Sequence, residues 1–422
     1  MSVSANAVPA TIEQRLAAAG LPPLPRPAWL EIDTDALATN LRVMRRLAGG
    51  VAVTAVVKSD GYGHGIEVAA RTFQAAGADS LAVATLDEAL QLRANGIGGR
   101  LIVLFAVPTA AVAEAAAARL ELVAADAASL AAIEETLRER GGEPPVAVHL
   151  EIETGLSRAG FRPGEAAAAA GRIAALHGAR LGSVWSHLAT TEDDSAVATQ
   201  VERFESAVAA IAATGVRVPE RHLSATGGLL VRAPAYERVR IGLSLYGAAP
   251  DLPLAGDGAA AAAALRPAMA LRARPIRVER IAAGESVGYG GTWTAARESV
   301  IATLPVGYGD GWVRAYAGGD ALVRGRRVPL VGTIAMDACM VDVSTLPDVG
   351  RDDTFTLLGA DGDARIGAEE LARRRNTIAW EVLASMATRV PRVYHAPAGP
   401  TGIRTVRGEV AVAAGGPLAG NG

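Results

Sequence analysis

The chain almost lacks lysine. Of its 41 basic residues, one is lysine, Lys58, and 40 are arginine. It holds a single cysteine, Cys339, which excludes an intrachain disulfide and any zinc-finger spacing. No apolar run reaches the roughly 20 residues that span a bilayer. Positive charge is not in excess: the net charge of −3 leaves no footprint for nucleic acid. Residues 1–26 carry Pro, Ala and charges, without the basic start, apolar core and cleavage site of a secretion signal. Walker and Rossmann phosphate loops are missing too, because GYGHG and GYGDG have the wrong spacing. No metal-ligand constellation is visible, and Glu192-Asp193-Asp194 reads as a helix start. The expectation is a cytoplasmic enzyme acting on a small molecule.

The scarcity of lysine gives Lys58 its weight. Arginine replaces lysine wherever a surface needs only positive charge. It cannot do so where an amine must lose its proton and form a Schiff base, because guanidinium stays charged. Lys58 ends an apolar, β-branched run, Ala52–Val57, that reads as a buried strand, and the glycine-rich GYGHG turn follows a few residues on. A stray surface lysine has no reason to sit there. A lysine that forms a Schiff base with pyridoxal phosphate does.

At 422 residues, half of them apolar, the chain can bury a large core. Pro27–Ile32 reads as a short strand, and Asp33 or Thr34 as the cap of a helix with Leu37, Leu41 and Met44 on one face. Apolar segments then recur at 52–58, 80–85, 101–106, 120–125, 147–153, 180–186, 221–225 and 238–243. Helix-like stretches separate most of them. Eight strands alternating with helices predict a parallel (β/α)8 barrel of the TIM type. Lys58, Arg158, His187, Thr226 and Arg240 fall at or just past the C-terminal ends of predicted strands, the face where a barrel builds its active site. Beyond about residue 265 short alternating runs and Gly-rich turns predict a mainly β domain, with one helix near 377–389 carrying Trp380. The organisation expected is an extension over 1–26, the barrel over 27–265, the β domain over 266–396 and a loose, flexible tail over 397–422.

From PAWLEIDTDAL near the start to PRVY near the end, the chain resembles the alanine racemases. The resemblance also rests on AVVKSDGYGHG, ETGLSRAG, WSHLATTEDD, RVRIGLSLYG, SVGYGGTW, LPVGYGDGW and VGTIAMDACM, nine motifs in order across both domains. It implies pyridoxal 5'-phosphate as cofactor and interconversion of L- and D-alanine, the D-isomer supplying peptidoglycan. Lys58 matches the lysine that holds the cofactor and serves as one base. Tyr289 matches the tyrosine that serves as the other and reaches in from the partner subunit, which implies a homodimer with sites at the subunit interface. An ordinary phenol, with pKa near ~10, is a poor base, so His187 and Arg240 are expected to stabilise the phenolate.

Arg240 matches the arginine that faces the pyridine nitrogen, with His222 orienting it. Such a cation keeps that nitrogen unprotonated and the ring a weaker electron sink, which favours reprotonation over transamination. Thr226 and the backbone N–H groups of Gly242 and Leu243 are expected to bind phosphate, with help from Tyr62. Arg158 and the N–H of Met336 are expected to bind the substrate carboxylate. Tyr308, Met336 and Asp337 match residues lining the family's narrow entrance, which the resemblance takes from the partner chain. Three departures from the pattern stand out, the mildest being Ala335 and Thr226, which occupy positions where other small residues are common and from which little is expected. Many members carry a carbamylated lysine seven residues before the arginine matching Arg158, and here Glu151 stands there, expected to supply the same charge. Trp380 stands where a tyrosine is common. These changes leave a serine or broader-specificity racemase as an alternative. A barrel-type amino-acid decarboxylase and a non-catalytic pyridoxal phosphate-binding homeostasis protein are the others. Arg240 argues against the first of these two and residues 266–396 against the second.

Overall fold

The computed structural model describes residues 10–140 and 144–412. The chain divides into two compact units: Ala36–Arg266, and a second formed by the described parts of Met1–Asp35 and Pro267–Gly422. Strand β1 (Ala28–Asp33) belongs to the second unit. The eight strands of the first are β2 (Ala52–Val56), β3 (Ser80–Val83), β4 (Leu101–Val103), β5 (Leu122–Ala124), β6 (Val146–Glu151), β7 (Ala179–Trp185), β8 (Arg221–His222) and β9 (Arg238–Ile241).

All pairings among these eight are parallel. One sheet runs β4-β3-β2-β9 and another β5-β6-β7-β8. Parallel bridges Ile102–Glu121 and Ala225–Arg240 join the two sheets at both edges, so the strands close into a barrel. Near-continuous apolar strands are what a sheet buried on both faces requires, and β3, β4, β5 and β6 are buried at every position. The helix Asp194–Ala213 starts where the acidic triplet was read as a helix start: Asp193 caps it, accepting from Ser195 N and Ala196 N.

Polar residues fill the barrel end at the N-termini of its strands. Arg100 bonds Glu121 and Glu220, and Glu220 also bonds Arg238. Arg238, itself buried, donates to Thr54 Oγ1 and Ser80 Oγ. Burial pushes the Glu121 and Glu220 carboxyls up. Hydrogen bonds and charge from their basic partners outweigh it and hold both at about 2. A carboxylate depressed in the fold stabilises above its unfolded pKa near ~4.3, and that contribution fades as pH falls toward its folded value. Glu220→Gln should therefore lower stability by about 1.5–3 kcal/mol at pH 7 and by progressively less as pH falls through 4 toward 2. Urea midpoints of variant and parent, compared across that range, check this; a gap independent of pH contradicts it.

The second unit contains β1, β10 (Met269–Ala273), β11 (Arg277–Ile281), β12 (Ser286–Val287), β13 (Trp293–Thr294), β14 (Ser299–Leu304), β15 (Asp320–Val323), β16 (Arg326–Val331), β17 (Cys339–Asp342), β18 (Phe355–Asp361), β19 (Ala364–Ile366), β20 (Arg392–Ala396), β21 (Gly399–Thr405) and β22 (Gly408–Ala411). Twelve of these form one sheet in the order β11-β14-β17-β16-β15-β18-β10-β1-β20-β21-β22, with β19 paired to β18. Only β1 and β20 pair in parallel.

The structure corrects three boundaries. Strand β1 was expected to open the barrel domain. It lies instead between β10 and β20, burying Trp29, Leu30 and Ile32. The expected extension over 1–26 contains a helix, Ile12–Ala18, whose Thr11–Gln14 capping box satisfies its first amides. Its Ile12 and Leu16 pack with Leu21, Trp29, Val393 and Ile403. The residues expected as a loose tail supply β21 and β22, because Ile403 fills that same cluster and β21 continues the ladder of β20. The rest of that stretch, 413–422, lies outside the described residues.

Candidate active site

Lys58 stands just past β2 and opens an unusual turn. Ser59, Asp60, Gly61 and Tyr62 all have left-handed φ, between 52° and 59°. Each non-glycine residue in that conformation costs about 1–2 kcal/mol, so the turn needs support. Glu88 provides it on one side: its carboxylate accepts from Ser59 N at 2.6 Å, Ala84 N at 2.9 Å and Thr85 N at 3.2 Å. Asp60 accepts from Ile66 N at 3.0 Å. His64, fully buried, places Nδ1 2.9 Å from Tyr62 O and 3.1 Å from Gly61 O. Burial, then the charge of Arg158, lowers the pKa of Lys58 against the opposing pull of Glu88. A lowered pKa makes the neutral, nucleophilic amine more available.

The same turn buries Tyr62 against Tyr246, ring centroids 4.7 Å apart and nearly parallel. Tyr246 donates its hydroxyl to Val56 O at 2.9 Å, which ties this stack to the end of β2. Gly242 follows β9, and a Cβ there would collide with the Tyr62 hydroxyl. Glycine is required by that approach. Gly242 N donates to Thr226 Oγ1 at 3.2 Å, and Leu243 opens a 3-10 turn over Leu243–Tyr246. Tyr62, Thr226, Gly242 and Leu243, far apart in sequence, are thus gathered at the ends of β2, β8 and β9. Burial raises the Tyr62 pKa well above the ordinary phenol value, so its hydroxyl stays a donor.

Arg240, the third residue of β9, is buried and heavily bonded. It donates to His222 Nδ1 at 2.5 Å, Ser186 O at 2.7 Å, His187 Nδ1 at 3.1 Å and Leu223 O at 3.2 Å. Its guanidinium lies 4.6 Å from the centroid of the Trp185 ring. Burial is the main cause that brings its pKa down, to about 9, so it remains a cation at neutral pH. Burial, followed by the charges of Arg240, Arg158 and Lys58, brings His187 down to about 3 and keeps it neutral. His222 is neutral for the same leading reason.

Arg158 sits on the loop after β6. Glu153 accepts from Ser157 N at 2.7 Å and also from Gly155 N, and Arg203 donates to Thr154 O at 3.0 Å, which fixes that loop. Glu151, the last residue of β6, is buried and pairs with Arg158 at 3.4 Å. Burial pushes its pKa up, while Arg158 and Arg240 pull it down. Arg158 also lies 5.8 Å from the centroid of the Phe105 ring.

The remaining expected residues belong to the second unit. Tyr289 stands on the turn between β12 and β13, 76% exposed. It lines a cleft of about 460 Å³ with Arg277, Glu279, Thr333, Ala335 and Met340. Tyr308 and Met336 are carried by adjacent loops, joined by Tyr308 N–Ala335 O at 3.0 Å and Gly309 N–Met336 O at 2.9 Å. Any Cβ at Gly307 would strike Ala335 O and Met336 O, so glycine permits that contact. Buried Asp310 anchors the first loop through Arg26 and Arg389, and Arg389 reaches Asp337 at 2.7 Å on the second. Trp380 lies in the helix Ala379–Ala384, partly exposed. Sequence reasoning missed Glu88, Ser183, His149 and Arg389. A carboxylate three residues after Thr85 and a histidine inside an apolar strand were the available signals.

An eight-stranded parallel α/β barrel with one amine and a buried cation near its strand ends, beside a mainly β second unit, has the plan of a two-unit barrel enzyme. Residues 32–250 match the family described as alanine racemase, N-terminal domain, and residues 268–394 its C-terminal domain. The alanine racemase of Symbiobacterium thermophilum is 36% identical over 373 residues, covering 87% of this chain and 97% of that protein. One from Nostoc is 36% identical over 372 residues, covering 87% and 95%. Among solved structures, alanine racemase from Streptomyces lavendulae has a TM-score of 0.80 at 33% identity, covering 88% of this chain and 98% of that one. That of Bacillus anthracis with bound L-Ala-P has a TM-score of 0.83 at 28% identity, covering 91% and 99%. The chain belongs to the alanine racemase family, and it is an isomerase that racemises alanine.

Proposed function

We propose that the chain racemises alanine with pyridoxal 5'-phosphate, as a homodimer, using Lys58 and a partner-subunit tyrosine as the two bases. The observation that carries this is Lys58 itself: the only lysine, at the end of β2, with its pKa lowered by burial and by Arg158. The residues present fit the cofactor. Tyr62, Thr226 and the turn at Gly242 and Leu243 would hold its phosphate, and Arg240 would face the ring nitrogen as a donor only. When bound, pyridoxal phosphate supplies an electron sink that acidifies the substrate α-carbon.

The chain's own groups then do the rest. Arg158 binds the substrate carboxylate, steadied by Glu151, and the N–H of the partner subunit's Met336 adds a second contact. Lys58 Nζ takes or returns a proton on one face of the α-carbon and Tyr289 Oη on the other, because one base on one face cannot readily serve both. His187 and Arg240 stabilise the phenolate. The exposure of Tyr289, Tyr308 and Met336 in the single chain supports a role for them against a second copy. D-Alanine for peptidoglycan is the product's use, and the cytoplasm the place. Among the described residues no helix is long and apolar enough to cross a membrane.

Mixing the purified protein with L-alanine and following D-alanine, with serine and lysine run in parallel, tests the reaction and its breadth. A protein that takes up no cofactor contradicts the proposal. Glu151→Gln should raise KM for alanine roughly fivefold, the equivalent of about 1 kcal/mol, since the Arg158 pair is part-exposed. An unchanged KM and kcat in that variant would show that Glu151 does not replace the carbamylated lysine.

A further inference from the structure

A single file of hydrogen bonds leads from Arg240 through the barrel interior to the opposite end. Arg240 Nη1 is 2.5 Å from His222 Nδ1, and His222 Nε2 is 2.7 Å from Ser183 Oγ. Ser183 Oγ is 2.7 Å from His149 Nδ1, and His149 Nε2 is 2.9 Å from Glu121 Oε2. All five residues are buried. They come from β9, β8, β7, β6 and the residue before β5, so the file crosses five neighbouring positions of the barrel.

Its direction is dictated at both ends. Arginine can only donate, so for as long as Arg240 holds this contact His222 Nδ1 accepts. Neutral His222 then carries its proton on Nε2 and gives it to Ser183 Oγ. The serine hydrogen is left to bond His149 Nδ1, and His149 gives Nε2–H to Glu121. An ionised carboxylate only accepts, and Arg100 holds Glu121 in that form. Run the other way, the file would set a His222 N–H against the Arg240 N–H. Two donors at that distance repel, and a buried pair of this kind has no water to relieve it.

We propose that Glu121 and His149 are positioning residues for the reaction. By fixing the His222 tautomer they hold the Arg240 guanidinium in place from the far end of the barrel. This rests on the assignment of Arg240 to the cofactor ring, although the tautomer pattern stands apart from it.

Glu121→Gln is the test, because an amide offers either a donor or an acceptor and so permits both directions. Magic-angle-spinning spectra of the full-length protein labelled with ¹⁵N-histidine read the tautomers directly, and His222→Gln identifies the His222 signals among the six histidines. The parent should show His222 with Nδ1 bare and Nε2 protonated. Glu121→Gln leaves only the Arg240 end to set the direction, so it should show a second His222 population with Nδ1 protonated in molecules whose Arg240 has turned away from that nitrogen, with kcat for alanine down about two- to tenfold in proportion to that population and KM changed less than twofold. Ser183→Ala, which leaves the Arg100–Glu121 pair intact, should do the same and serves if the first variant fails to fold. A single unchanged His222 tautomer in both variants overturns the proposal, and so does a mixed tautomer with unchanged kcat. Parent protein that shows the expected tautomer yet fails to racemise alanine would count against the catalytic assignment and leave the file standing.

Discussion

Lys58→Arg should abolish racemisation, lowering kcat by about 10³-fold or more, and should remove the visible absorption of bound pyridoxal phosphate. Arginine keeps the charge and most of the length, so the comparison isolates the one property it lacks, an amine that can lose its proton. The fold should survive. Lys58 is only partly buried, and the turn behind it is held by Glu88, Asp60 and His64 through bonds to backbone and not to the lysine amine. Equal melting temperatures for parent and variant, measured beside the activity, therefore separate chemistry from stability. A Lys58→Arg protein that keeps more than about a tenth of parental turnover would remove lysine from the centre of the mechanism, since loss of a nucleophile costs far more than that.

Much of this architecture is legible in the residues because both faces of the barrel strands are buried. An apolar run bounded by turn residues can then be little else, and each of the eight expected segments overlaps a strand of the barrel. The period of the helices is equally plain: Leu37, Leu41 and Met44 are buried together on the helix Thr34–Ala48. What strand patterns do not encode is partnership. Nothing in AWLEID distinguishes a first barrel strand from one that pairs with β10 and β20, two hundred residues and more away. The hairpin of β21 and β22 was hidden for a related reason: its Gly, Thr and Pro content reads as coil until Ile403 finds the Trp29 cluster.

The site follows the same division. Lys58, the residue proposed to carry the chemistry, stands out in sequence by type and by place at a strand end, whereas Arg240, one of 40 arginines, stands out by place alone. Their supports do not. Ser59, Asp60 and Tyr62 carry no signature of left-handed backbone, and the turn exists because Glu88 and His64 satisfy it. His149 and Glu121 are ordinary residues within apolar runs until barrel closure points them at one another. Supporting contacts between distant strands depend on closure, and closure is a property of the whole unit.

Tyr289→Phe should lower racemisation by about 10²- to 10⁴-fold, the usual contribution of a positioned acid or base. The forward and reverse rates must fall together, because the equilibrium between enantiomers ties them. Exchange of the α-hydrogen with solvent deuterium, run separately from each enantiomer, is free of that tie. With the phenol gone, removal of the proton from L-alanine should suffer more than removal from D-alanine, where Lys58 acts. Mixing two dead variants asks where the phenol comes from. If each site takes Lys58 from one subunit and Tyr289 from its partner, a dimer of Lys58→Arg with Tyr289→Phe has one site with both changes and one with neither. Random reassortment of equal amounts then restores roughly a quarter of parental activity. If both residues serve the same subunit's site, every mixed dimer stays dead. Recovery with asymmetric exchange supports the shared two-base site, whereas silence in the mixture with symmetric exchange returns Tyr289 to a packing role.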